Sequence, residues 1–141
     1  MEIKKLSALT TAAVFILMLI GAYVTQSGSG LACPDWPTCH GKIIPELRGP
    51  VLIEYTHRVF ASLSGVLIFL TSYLVWKYHK HDKNLSKLAV ATPLALVVQV
   101  FLGAFSVQSE LNPLIVTAHL GIAITIFGLL LSTTLLLRRQ I

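Results

Sequence analysis

His57 and His119 are the residues of this chain best suited to chemistry. A neutral imidazole nitrogen ligates metal ions, and the ring changes charge near neutral pH. Glu54 stands one helical turn before His57, and Arg58 follows it directly. Positions three and four apart share a helix face, so a carboxylate, an imidazole and a guanidinium gather there. Upstream, Cys33 and Cys39 frame the segment Cys33-Pro34-Asp35-Trp36-Pro37-Thr38-Cys39. A thiol pair closes a structural disulfide or exchanges electrons with a partner.

The elements that must position these residues are long apolar blocks. Only 12% of the 141 residues are charged, about half the share of an ordinary soluble domain. The length suits one domain, 1–141. A bilayer core about 30 Å thick needs roughly 20 helical residues. Four blocks reach that length, at about 6–25, 53–76, 88–107 and 114–137. Residues 121–131 carry almost no polar face, which a soluble bundle would show on each helix. The expected fold is therefore an all-α integral membrane bundle of four transmembrane helices.

The net charge of +5 would suit nucleic acid, but its placement does not. Lys4, Lys5, Lys77, Lys80, Lys83, Lys87, Arg138 and Arg139 fall on one side of the spans, against Lys42 and Arg48 on the other. Basic loops mark the cytoplasmic side. Both termini are expected in the cytoplasm of a multi-pass cell-membrane protein, with the cysteine loop external and no nucleic-acid partner. The first block is longer than a signal-peptide core and no A-x-A site follows it, so it reads as a retained helix.

Residues 26–52 form the longest loop, rich in glycine and proline, which forbids a long regular element. A short helix near 45–48 is expected. The loop at 77–87 is basic and solvated, and His79 and His81 within it are given no site. The loop at 108–113 is short enough to make the last two helices a tight hairpin. A weak repeat links Gly21-Ala22-Tyr23-Val24-Thr25-Gln26-Ser27 with Gly103-Ala104-Phe105-Ser106-Val107-Gln108-Ser109. Each piece closes a helix and leads through a loop into a histidine-bearing helix. The chain thus reads as two tandem helix hairpins of one orientation, with a site at their interface.

His57 lies seven residues after Pro50 and His119 six after Pro113. Both rings then sit about two turns inside their helices. Two imidazoles facing each other at matched depth suit the axial positions of a haem iron. Ala61, Ser64 and Gly65 below His57, and Ala123 below His119, leave room for a flat macrocycle. The plainer alternative is that each ring hydrogen-bonds across the bundle. Glu54 is costly so near the apolar core and is functional by default. It can orient an imidazole, pass protons, hold a substrate group, or pair with Arg58. Val116 occupies the corresponding place before His119, so the site has one carboxylate. Cys33 and Cys39 remain open between a staple and a redox-active pair.

The block Gly28-Ser29-Gly30-Leu31-Ala32-Cys33-Pro34-Asp35-Trp36-Pro37 with Cys39 and Gly41, together with Glu54-Tyr55-Thr56-His57-Arg58 and the His119 helix, resembles the heme A synthase family. Members oxidise a ring methyl group of haem O to the formyl group of haem A, through successive hydroxylations, for haem-copper terminal oxidases. They commonly have eight spans in two similar halves, each with a histidine pair. The N-terminal half is the substrate side, with the glutamate and the cysteine pair. The C-terminal half holds haem B.

This chain resembles the N-terminal half. The resemblance implies that His57 and His119 are axial ligands of haem iron and that Glu54 is catalytic. It makes Cys33 and Cys39 the loop pair and an oxidoreductase the expected function. Haem B, haem O as substrate, or both are the expected cofactors. Arg58 is expected to pair with a haem propionate. A homodimer would restore the eight-helix plan, and haem O synthase or a terminal oxidase are further expected partners. The competing reading uses the same ligands in a non-enzymatic bis-histidine b-type cytochrome or a thiol or quinone electron-transfer protein.

Overall fold

A computed structural model describes residues 2–139. Four helices follow one another: α1 Ile3–Gln26, α2 Gly49–His79, α3 Lys83–Gln108 and α4 Pro113–Arg139. Each is long and apolar enough to cross a membrane. All four outrun their apolar blocks because polar residues extend the ends. Asp82 caps α3 by accepting from the Asn84 and Leu85 amides, which leaves only residues 80–82 between α2 and α3 and puts His79 in the last turn of α2. The short helix expected near 45–48 does not form. That stretch is irregular, and the next helix begins at Gly49 with Pro50 in its first turn. Proline suits that place because the amide it lacks has no partner there anyway.

The helices form a ring in which α1 packs on α2, α2 on α3, α3 on α4 and α4 on α1. Consecutive spans alternate in direction, so α2 and α4 run the same way and lie along a diagonal of the ring. Large apolar side chains point outward, with Phe101 71% and Val66 66% exposed. Several hydroxyls point inward, beside an apolar core of Val14, Ile68, Leu96, Ile126 and Leu130. Thr10 and Thr71 meet at 2.8 Å, and Thr134 bonds Ser7 at 2.7 Å and Thr11 at 3.0 Å. This inverts the pattern of a soluble bundle and suits lipid, where interhelical hydrogen bonds contribute about 0.6 kcal/mol each. The fold is an all-α membrane bundle.

The repeat seen at the helix ends extends through the core. The register carrying Gly21 onto Gly103 also carries Val14 onto Leu96 and Thr10 onto Thr92, all four of these buried. The register carrying His57 onto His119 carries Ile68 onto Leu130, Thr71 onto Thr133 and Val75 onto Leu137, again all buried. The helix ends match atom for atom. Ser27, Gly28 and Ser29 donate to the Tyr23, Thr25 and Val24 carbonyls; Ser109, Glu110 and Leu111 donate to those of Phe105, Val107 and Ser106. Gly28 takes its positive φ of 70° freely, whereas Glu110 holds 53° in the same place. A non-glycine residue there is uncommon, so the shared turn is enforced by the hairpin it closes.

Candidate functional site

His57 projects from α2 and His119 from α4, the diagonal pair. Each ring lies against a glycine of the preceding helix. A β-carbon built on Gly21 would stand 3.1 Å from His57 Cε1, and one on Gly103 3.2 Å from His119 Cε1. The glycines that open the two repeat pieces therefore clear space for the two imidazoles. The Nδ1 atoms of both are buried without a hydrogen-bond partner. The expected placement at matched depth across the bundle is what the structure shows, and neither Nδ1 is satisfied by a protein group.

Glu54 and Arg58 form a second layer, nearer the cysteine loop. Arg58 Nε donates to Glu54 Oε1 at 2.9 Å, with the two side chains only 14% and 7% exposed. The same guanidinium holds the loop. Nη1 donates to the Asp35 carbonyl at 2.7 Å and the Thr38 carbonyl at 2.9 Å, and Nη2 to the Cys33 carbonyl at 2.8 Å. Four of its five N–H donors are thus occupied. Of the roles open to Glu54 in the sequence, pairing with Arg58 is the one realised as a contact.

Cys33 and Cys39 are bridged by a disulfide, and both are buried. The turn that follows, Cys39-His40-Gly41-Lys42, closes by two backbone hydrogen bonds with positive φ at His40 and Gly41, the pattern of a tight hairpin turn. Asp35 organises it from inside, accepting from the Thr38 hydroxyl and from the His40 and Gly41 amides. The Thr38 hydroxyl first, then the Gly41 amide, holds its carboxyl down to about 2. The His40 ring bonds the Ala32 carbonyl at 2.9 Å. On the far side, Gly30 packs against Leu111 of the α3–α4 turn.

Several site residues were not singled out from the sequence. Gly21 and Gly103 were visible as the heads of the repeat. Asp35 carried no signal beyond its place between the cysteines. Gln99 sits one turn before Gly103 on α3, and its Oε1 is buried without a partner. Ser64 reads from the sequence only as a small residue below His57.

A haem fits what the residues offer. Two buried imidazoles, one on α2 and one on α4, each with an Nδ1 that lacks a partner, are the kind of donor a haem iron could take at two positions. Among the described residues no three His, Cys, Asp or Glu side chains converge, so a metal cage made of protein alone lacks ligands. A macrocycle that brings its own equatorial donors needs only two.

The model of the family described as "Cytochrome oxidase assembly protein" matches residues 4–141. The chain belongs to that family. It is similar to the heme A synthase of Bacillus licheniformis, with 37% identity over 135 residues, covering 95% of this chain and 45% of that protein. Heme A synthase of Bacillus cereus (strain AH187) is 35% identical over 137 residues, covering 96% of this chain and 44% of the relative. The Bacillus anthracis (strain CDC 684) protein of the same name matches equally. The chain spans less than half the length of these curated relatives. Every residue of the site falls inside the segment matched to the family.

Proposed function

We propose that this chain binds haem O between His57 and His119 and oxidises one of its ring methyl groups to a formyl group, as heme A synthase. The observation that carries this reading is the pair of glycine-seated imidazoles, each with a buried Nδ1 that lacks a partner, with the buried Glu54 carboxylate one helical turn from His57. Support comes from the family and from the relatives' name. His57 and His119 would hold the haem through its iron, from α2 and α4. A bound haem brings the redox-active iron, whether as substrate or as a haem B cofactor.

Glu54 is the proton-handling group in this reading. Its Oε1 is engaged by Arg58, so Oε2 would be the atom left to exchange a proton with the bound substrate. Arg58 holds Glu54 in place and has one N–H left for a propionate. The cysteine loop covers the external end of the site and keeps bulk water away from it. The bilayer supplies the apolar surroundings. A second four-helix unit, provided by another copy of this chain, contributes a second haem site.

The test is expression in cells that make haem O, followed by extraction and mass analysis of the haem. Hydroxylated and formyl haem are expected. Unchanged haem with a bis-histidine spectrum would refute the enzymatic reading and leave a b-type cytochrome. Glu54→Gln is expected to keep bound haem and lose the oxidised product.

A further inference from the structure

Four buried side-chain polar atoms lack a partner among the described residues: His57 Nδ1, His119 Nδ1, Ser64 Oγ and Gln99 Oε1. The first two belong to the site above. The other two lie further from the loop on α2 and α3, which pack against each other. Gly65 touches Leu96, so Ser64 and Gln99 sit at neighbouring levels, just above the apolar layer of Ile68 and Leu96.

Ser64 is unusual for this chain. Helical hydroxyls here habitually bond the carbonyl one turn back, as Ser62 does to Arg58, Thr92 to Leu88 and Ser106 to Leu102. Ser64 does not, although it is 1% exposed. The repeat sharpens the point. Ser64 corresponds to Ile126, and Gln99 to Leu17. The apolar counterparts lie on α4 and α1, which pack together, whereas the two unsatisfied polar atoms lie on the opposite pair, α2 and α3. At this depth such groups cost free energy unless they meet a partner.

Resting on the haem reading, we infer that Ser64 and Gln99 form a subsite for a hydroxyl group on the inner edge of the macrocycle. Haem propionates are charged and must point to the nearer aqueous face, which for His57 and His119 is the loop end. The opposite edge then faces Ser64 and Gln99. On that edge haem B carries vinyl groups, whereas haem O carries a hydroxyethyl group bearing a farnesyl chain. Its hydroxyl donates to Gln99 Oε1 and accepts from the Ser64 hydroxyl, satisfying both. The subsite therefore selects haem O over haem B. A site built to bond a hydroxyl discriminates against a ligand lacking it, because its own polar groups are then left unpaired.

The experiment is optical titration of the full chain in lipid nanodiscs with haem B and, separately, haem O. The ratio of the two dissociation constants is the readout. Wild type is expected to favour haem O. The Ser64→Ala, Gln99→Leu double variant is expected to lose about tenfold of that preference, and Ser64→Thr to retain it. An undiminished preference in the double variant would overturn the subsite and leave the haem reading standing. Should the double variant bind neither haem, Ser64→Ala alone decides by the same ratio, since it deletes a single oxygen. Wild type that binds neither haem would overturn the haem reading and the subsite with it.

Discussion

Adding one methyl group at Gly21 or Gly103 is the sharpest perturbation of this site. In Gly21→Ala the new carbon stands 3.1 Å from His57 Cε1; in Gly103→Ala it stands 3.2 Å from His119 Cε1. Carbon–carbon contact becomes favourable only from about 3.5 Å, so each ring must retreat by about 0.3–0.4 Å. Overpacking of this kind costs about 1–3 kcal/mol. The gain from replacing a helical glycine by alanine is about 0.8–1 kcal/mol. Net stability thus falls by about 0–2 kcal/mol, while each imidazole is displaced from its seat against the glycine. Gly128→Ala is the control, because a β-carbon there meets nothing within 4 Å. The assay is haem retained per chain after purification, beside thermal unfolding. Both site variants should lose haem to a similar degree, because the repeat makes their contacts equivalent, and Gly128→Ala should retain it. Wild-type haem retention in both site variants would refute the idea that these glycines seat the ligands.

The remaining expectations concern the ligands and the loop. His57→Ala and His119→Ala should each lose bound haem, and retention in both, read from the absorption spectrum, would remove the ligand assignment. Arg58→Ala should destabilise the fold by about 3–5 kcal/mol, the cost of breaking a buried pair; an unfolding midpoint like wild type's would show that the guanidinium contacts carry little. Because the Asp35 carboxyl is depressed from 3.8 to about 2, its contribution to loop order is complete above the ordinary carboxylate range. It fades as pH falls from there through about 2. Trp36 fluorescence should follow that change, and a midpoint near 3.8, or the same change in Asp35→Asn, would count against it. Cys33→Ser with Cys39→Ser should keep haem, held on the helices, but yield less oxidised product; an unaltered product yield would reduce the disulfide to a staple.

The spans were legible because a 20-residue apolar block in lipid has one outcome. All backbone groups must be satisfied within the segment, so the helix is forced. Loop ends were less legible, since polar residues such as Asp82 extend helices by capping that no hydropathy pattern reports. The placement of His57 and His119 followed from their distance to Pro50 and Pro113, because helical rise converts sequence distance into depth. The roles of Gly21 and Gly103 were half visible. The repeat marked them, but only packing shows that the missing β-carbon is what admits a ring. The contacts of Arg58 with the Cys33, Asp35 and Thr38 carbonyls were not legible at all. They bind a side chain to main-chain atoms far away in sequence, and no residue type in the loop advertises a carbonyl.

Those contacts explain why a charged pair can sit at the end of the bundle. A buried ion pair loses hydration on both sides, and mutual attraction alone seldom recovers it. Here the guanidinium is solvated by the protein, with three loop carbonyls replacing water and Glu54 taking the fourth donor. The planar fork of arginine reaches acceptors on two sides at once; the single point of a lysine does not. The three carbonyls converge only because the loop is held in shape by the Cys33–Cys39 bridge at its ends and by the Asp35 carboxylate inside. Loop and helix therefore depend on each other through one residue. A change in the loop, whether of its disulfide or of Asp35, reaches Glu54 through Arg58, one turn from His57. The most direct path from the membrane surface to the candidate site is thus a chain of hydrogen bonds already in place.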